Sequence, residues 1–323
     1  IYMKHKEILL FGASGQIGRN LIRKLTKNNY KIIALTRNIH RAGYILKTQA
    51  NPGYLELVEI KNFNPDKIEE LMKRCSICIN LIGILFEKKK DHFKNIHTDL
   101  PNLISQVANR LNLEKFIHLS ALGIEEASDS LYAKSKLEGE KKIIGNFNNS
   151  IILRPSIVYS VDDKFTTRFM KLLSILPIMP IYYNGNTRFS PIHVSDIVNI
   201  IYDMIENKKR GLILECVGSE ILSFKDMIKI LLNAINKKRL IIPLPIPIAK
   251  ISAKILQLLP QPLLTEDQLK LLKYDNIKTG KYKNNIDLGL EAKKKFRDEI
   301  EKYSFNWRTG GQFSKINDEI KIK

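Results

Sequence analysis

Apolar residues in the first half of the chain fall in short continuous runs, separated by stretches with helical spacing. The runs are Glu7–Phe11, Lys31–Leu35, Leu55–Ile60, Ile77–Ile84, Phe116–Leu119 and Ser150–Leu153. Between them Gln16–Asn28, Pro65–Lys73, Leu100–Leu111 and a segment starting near Ser130 repeat apolar positions at the period of a helix. Short runs without polar alternation predict strands covered on both faces. Strands that alternate with helices predict βαβ units, hence an α/β fold with a doubly wound parallel sheet.

Beyond Arg154 the texture changes. Prolines punctuate the chain at Pro155, Pro177, Pro180 and Pro191, then crowd at Pro243, Pro245 and Pro247. We read residues 1–153 as the first domain, with later segments returning to it. Residues 154–323 form a smaller C-terminal α/β lobe and tail, expected over the carboxyl ends of the strands where such sheets bind ligands. Ile241–Leu264 is conspicuously apolar, but its prolines, Lys250 and Lys254 interrupt it. A membrane span needs about 20 predominantly apolar residues. Helices packed into the lobe are therefore expected, with peripheral contact to a membrane or a partner as the second reading.

Composition changes this picture little. A 44% hydrophobic fraction suits a sizeable core, and 53 Lys+Arg against 33 Asp+Glu leave a net charge of +20. The basic runs Lys88-Lys89-Lys90 and Lys293-Lys294-Lys295 are short and scattered, and no aromatic residues interleave with them for stacking. That argues for solvated faces and against a nucleic-acid partner. Cys75-x-x-Cys78 lies in an apolar run, without a second pair or a histidine cluster. Core cysteines are expected, not a metal site or a disulfide framework, and a reducing compartment follows. Strand-like residues begin almost at once, so a signal peptide is not expected.

The first apolar run leads into Gly12-Ala13-Ser14-Gly15-Gln16-Ile17-Gly18. A strand, a glycine turn and a helix in that order form the dinucleotide-binding junction of a Rossmann domain. Gly12 permits the bend, Gly15 the approach of a pyrophosphate, and Gly18 close packing of the helix. The helix N-terminus offers N–H groups to the phosphates. A site for NAD carries an acid about 20 residues further on, for the ribose 2′-hydroxyl. Ile8–Leu55 contains none, and the corresponding position reads Thr36-Arg37-Asn38, with Arg19 and Arg41 near. A guanidinium suits a 2′-phosphate, so NADP(H) is favoured over NAD(H).

Tyr132-x-x-x-Lys136 lies on one helix face, and Ser120 ends the preceding strand. Together with the G-x-x-G-x-x-G spacing, this order resembles the short-chain dehydrogenase/reductase superfamily, especially its extended and atypical members. The resemblance implies that Lys136 binds the nicotinamide ribose and lowers the tyrosine pKa. It also implies that Tyr132 exchanges a proton with a substrate oxygen and that Ser120 orients that oxygen.

Several segments narrow the resemblance. They are Asn80–Leu85, His118–Gly123, Leu153–Tyr159 with Asp163-Lys164-Phe165, Phe189–Asp196 and Leu264–Leu272. From about Lys6 to Asn276 the chain is similar to the NADPH-binding accessory subunits of respiratory complex I (the alpha-subcomplex subunit nine family) and their bacterial relatives. That implies a tightly bound, structural nucleotide and partners in complex I or in ubiquinone synthesis. Carried over by position, Gly12, Ser14, Gly15, Gln16, Ile17 and Gly18 hold the pyrophosphate, and Arg37 and Asn38 the adenosine phosphate. Leu81, Ile82 and Gly83 lie along the nicotinamide half, which Ser120, Tyr132, Lys136, Pro155, Ser156 and Ile157 surround. Without a recognisable transit peptide, a bacterial-type relative is expected, cytoplasmic or peripheral at the inner membrane, rather than a matrix subunit.

The intact Ser120, Tyr132 and Lys136 keep an alternative open, an active NADP(H) oxidoreductase or a sugar-nucleotide epimerase/dehydratase. Arg168 and Arg188 are then the candidate polar clamp. Arg154 is expected to support its strand end, and His193 and Asp196 to line a cleft or build a turn.

Overall fold

Glu7–Phe11 forms β1, whose last four residues are wholly buried, as a strand covered on both faces requires. The computed structural model describes residues 7–259 and 262–313. Contacts divide the chain into two units. One comprises Ile1–Pro155, Ile197–Cys216 and Gly280–Leu290, the other Ser156–Asp196, Val217–Thr279 and Glu291–Lys323.

In the first unit β1 is flanked by β2 (Lys31–Thr36) and β4 (Ile77–Asn80), both parallel to it. The eight-stranded order runs β3 (Leu55–Glu59), β2, β1, β4, β5 (Lys115–Leu119), β6 (Ile151–Pro155), then Leu212–Cys216 and Lys283–Asn284. Strand order reverses between β1 and β4, the position where doubly wound sheets leave a crevice at their carboxyl ends. The helices are α1 (Gln16–Lys27), α2 (Ile39–Lys47), α3 (Pro65–Met72), α4 (Leu100–Arg110) and α5 (Leu131–Asn146). Helix α1 buries Ile17, Leu21, Ile22 and Leu25 at three-to-four-residue spacing, and closes with Lys24 and Lys27 in the last turn, favourable for its dipole.

Two departures from the pattern reading have clear causes. The apolar run Ile77–Ile84 stops being a strand at Asn80, whose side chain accepts the Ile82 N–H at 3.1 Å and turns the chain. Helix α2, with its basic residues and Gly43, carries too weak an apolar stripe to read from sequence; Asn38 caps it by accepting the Arg41 N–H at 2.9 Å. The returning segments are stitched into the sheet by buried groups. Lys115 Nζ donates to the carbonyls of Met204 (2.9 Å), Ile205 and Asn207, at the C-terminal end of the helix Val194–Glu206. That is where a cation offsets the helix dipole.

The second unit is built from short strand pairs and helices. Val158–Tyr159 pairs with Ile192–His193, Arg188–Phe189 with Leu222–Ser223, and Ile178–Ile181 with Leu240–Pro243. Helices Thr166–Ile175 and Phe224–Ala234 pack Met170, Leu173, Met227, Ile228 and Leu231 with Phe296 and Ile300 into one core. The Ile241–Leu264 stretch resolves into the end of a strand and the helix Ile246–Leu256. No helix among the described residues is long and apolar enough to cross a membrane.

Candidate functional site

The turn after β1 is held by backbone contacts that explain two of its three glycines. Gly12 has φ +80°, and a Cβ there would meet the Leu81 carbonyl carbon at 2.9 Å. At Gly18 a Cβ would stand 2.5 Å from the Gly12 carbonyl oxygen, so α1 can approach the turn only through glycine. Gly15 differs. Its φ of −73° suits any residue, and a Cβ would meet only the Gly12 oxygen, at 3.4 Å. Nothing in the protein demands glycine there, whereas a ligand pressed against the backbone would. No side chain caps α1 and its first turn holds no acid. An anion at that helix end therefore meets no competing carboxylate on the helix. Arg19 folds back to donate to the Ser14 carbonyl at 2.9 Å.

At the end of β2, Arg37 is exposed and pairs with none of the described residues, while Asn38 serves as the α2 cap. Sequence spacing missed one acid here. Glu59, opposite Thr36 in the register, comes from β3. Its carboxylate accepts the Ile39 N–H at 2.9 Å and lies 3.4 Å from Lys61, and the Ile39 hydrogen bond holds it below its usual pKa. That acid is committed to α2 and Lys61.

The glycine turn connects through Leu81–Gly83 to Lys136. Leu81 N–H donates to the Phe11 carbonyl at 3.1 Å, and a Cβ at Gly83 would lie 3.4 Å from Lys136 Nζ. Lys136 Nζ donates to the Leu119 carbonyl at 3.0 Å, next to Ser120. Gly12, Leu81, Ile82, Gly83, Ser120 and Lys136 thus follow one another along the carboxyl ends of β1, β4 and β5. Ser120 Oγ is buried and has no hydrogen-bond partner among the described residues. A buried unpaired hydroxyl is costly, and a bound molecule with a polar group there would supply its partner.

His97 is the residue that sequence reasoning missed. It sits in a π-helical turn, Lys94–Asp99, just before α4. Ile84 N–H donates to its Nε2 at 3.1 Å, so the ring proton is on Nδ1, 2.9 Å from Ser135 Oγ. Ser135 Oγ in turn donates to the Tyr132 carbonyl at 2.8 Å. The ring stacks on Phe93 and meets Tyr132 edge-on at 5.3 Å. The one sequence signal was Gly139, two helical turns beyond Tyr132. A Cβ there would stand 1.9 Å from the His97 carbonyl oxygen.

Burial governs the electrostatics. It lowers Lys136 to about 8 and, with Lys136 beside it, His97 to about 2. Burial also pushes the Tyr132 phenol up to about 12, and no cation brings it back. His118 is likewise driven well below its ordinary value; its Nδ1 accepts from Asn80 Nδ2 at 3.2 Å.

The other candidates have partners of their own within the fold. Arg154 forms a buried ion pair with Glu140 at 2.6 Å, reaches Glu125 at 2.9 Å and lies over the Tyr282 ring. It supports the end of β6, where the Pro155 carbonyl accepts the Leu122 N–H at 3.0 Å. In the second unit Ser156 Oγ donates to Asn276 Oδ1 at 2.6 Å, and Ile157 packs on the core of that unit. Arg188 is paired with Asp275 at 2.7 Å, and Arg168 donates to the Pro262 carbonyl. His193 Nδ1 lies 2.8 Å from Ser195 Oγ, and Asp196 accepts the Lys294 N–H at 3.2 Å. Cys75 and Cys78 are free thiols, and burial pushes Cys75 up to about 12. Among the described residues no group of three or more His, Cys, Asp or Glu is placed to hold a metal ion.

Comparison with known proteins agrees with this geometry. The profile of the NAD dependent epimerase/dehydratase family matches residues 8–215. The mitochondrial NADH-ubiquinone oxidoreductase 40 kDa subunit of Neurospora crassa is 23% identical over 285 residues, covering 87% of this chain and 74% of that protein. Subunit 9 of the NADH dehydrogenase [ubiquinone] 1 alpha subcomplex of Mus musculus is 24% identical over 284 residues, covering 87% and 75%. Among solved structures, dTDP-glucose 4,6-dehydratase from Bacillus anthracis in complex with NAD superposes with a TM-score of 0.71 at 14% identity. It covers 94% of this chain and 96% of that one.

Proposed function

Because the chain belongs to the NAD dependent epimerase/dehydratase family, we propose that it binds NADP(H) as a structural nucleotide and serves as an accessory component of a complex I-type or quinone-synthesis assembly. The observation that carries this reading is the contrast inside the site. The phosphate end is open, with an uncapped helix and a glycine that only a ligand requires. The Tyr132 end is tied up internally, with His97, Ser135 and Lys136 all hydrogen-bonded within the protein. Arg37 favours the 2′-phosphate of NADP(H), since it has no partner among the described residues and the nearby Glu59 is engaged elsewhere. Gly12, Ser14, Gly15, Gln16, Ile17 and Gly18 would cradle the pyrophosphate. Leu81–Gly83, Ser120, Tyr132, Lys136 and Pro155 would line the nicotinamide half, with Ser156 and Ile157 following in the chain.

The assembly part rests on the relatives, which are named as subunits of NADH-ubiquinone oxidoreductase and of NADH dehydrogenase (ubiquinone). Affinity capture of the chain from gently solubilised membranes, with identification of partners, tests it. Recovery of respiratory or quinone-synthesis proteins is expected; capture of the chain alone contradicts it.

A second reading has its own observation. Ser120 Oγ, without a partner among the described residues and next in the chain to the Leu119 carbonyl that holds Lys136, suits a substrate oxygen, and bound nicotinamide would supply hydride transfer. In that reading Tyr132 exchanges the proton and Lys136 holds the ribose, as in an oxidoreductase or a sugar-nucleotide epimerase/dehydratase.

A further inference from the structure

The helix Ile246–Leu256 buries one face and leaves another uncovered. Ala249 and Ala253 are wholly buried against Tyr182, Leu264 and Leu269. On the opposite face Ile248, Ile251 and Ile255 are 52%, 60% and 63% exposed, and Leu258 just beyond is 81% exposed. Helical spacing sets Lys250 and Lys254 on the flank between these faces. The preceding strand also leaves apolar side chains exposed. Leu240 stands opposite Ile178 in the register and both side chains are exposed, as are Ile175 and Leu176 just upstream.

Charge identifies the occupant. Residues 227–265 contain no Asp or Glu, but they hold Lys229, Lys237, Lys238, Arg239, Lys250 and Lys254. Residues 164–195, which supply the paired strand, are free of acids as well. Glu266, which with Asp267 opens the next helix, lies 3.8 Å from Lys254. We propose that this face of the second unit rests on a lipid bilayer bearing anionic headgroups. Ile248, Ile251, Ile255 and Leu258 would sit at the acyl boundary, and the flanking lysines would reach the phosphates. A bilayer supplies both layers this face requires, hydrocarbon for the isoleucines and negative charge for a surface with almost no acids of its own.

The proposal goes beyond the nucleotide reading and does not rest on it. Flotation of the full chain with vesicles of phosphatidylcholine, with and without phosphatidylglycerol, tests it directly. The chain is expected to float with the phosphatidylglycerol vesicles and to be released by salt. Ile251→Ser with Ile255→Ser should weaken binding about tenfold, and Lys250→Gln with Lys254→Gln by a similar factor. All four residues are exposed, so an unchanged melting temperature separates lost binding from lost folding. A Gly15→Asp variant should float like the wild type, which keeps failure of the nucleotide reading distinct. Absence of flotation overturns the proposal, as does equal flotation of the serine variant or equal binding to vesicles of phosphatidylcholine alone. If the chain ignored vesicles but self-associated through Ile251 and Ile255, a second copy would cover the face. If it ignored vesicles and stayed monomeric, a protein partner would.

Discussion

At the Gly12–Gly18 turn the protein leaves room. No side chain caps α1, and the backbone at Gly15 meets nothing closer than 3.4 Å when a Cβ is added. At the Tyr132–Lys136 end it does the reverse. The Leu119 carbonyl takes Lys136, and Ile84 and Ser135 fix both nitrogens of His97. The difference separates two properties that share a site. Binding a phosphate needs exposed N–H groups and clearance; moving a proton needs groups free to change partners. The turn offers N–H groups and clearance, whereas at the other end burial and internal hydrogen bonds hold Lys136 and His97 to partners within the protein.

Within the turn, Gly18 answers to the fold and Gly15 to a ligand. Gly18→Val should cost about 3 kcal/mol of stability in urea unfolding, because its Cβ would collide with backbone oxygens. Gly15→Asp should shift stability by about 0.5 kcal/mol at most and yet weaken NADPH at least about a hundredfold. Equal loss of stability in both variants would mean that Gly15 answers to the fold and not to a ligand.

Lys136 sharpens the other end. Burial holds it at about 8 against an ordinary 10.5, so its protonated form destabilises the nucleotide-free chain. That penalty is complete below about pH 8 and gone above 10.5. The wild type should therefore gain on Lys136→Met by about 3 kcal/mol as pH climbs through this window. A pH-independent gap between the two unfolding curves would contradict the buried position.

Cofactor choice ranks next. Arg37→Asp should weaken NADPH about tenfold and NADH far less, read by fluorescence titration. Tyr132→Phe has the smallest expected effect, within about 0.5 kcal/mol on stability and little on nucleotide affinity. If it abolished a measured turnover, the structural role would give way to the catalytic one.

Much of the first unit was legible because parallel strands are apolar without alternation and each glycine of the turn has its own steric task. The parts that were not share a cause: their meaning lies in neighbours far along the chain. Glu59 reaches the end of β2 from the next strand, so a search along the chain from the glycine turn finds no acid where space supplies one. His97 carries no motif, and only the clearance at Gly139 marks its approach. Arg188 looked like a free clamp because Asp275, which holds it, lies 87 residues away. The helix Ile246–Leu256 packs into its unit as expected, but spacing did not show that it does so through its alanines and leaves its isoleucines exposed.

The nucleotide itself decides between these roles. Denaturing the purified chain and identifying what it releases by chromatography is the most direct test. NADP(H) near one per chain, retained through dialysis, is the predicted result. Release of NAD(H), or of no nucleotide from a folded chain that also fails to bind NADPH, would contradict it.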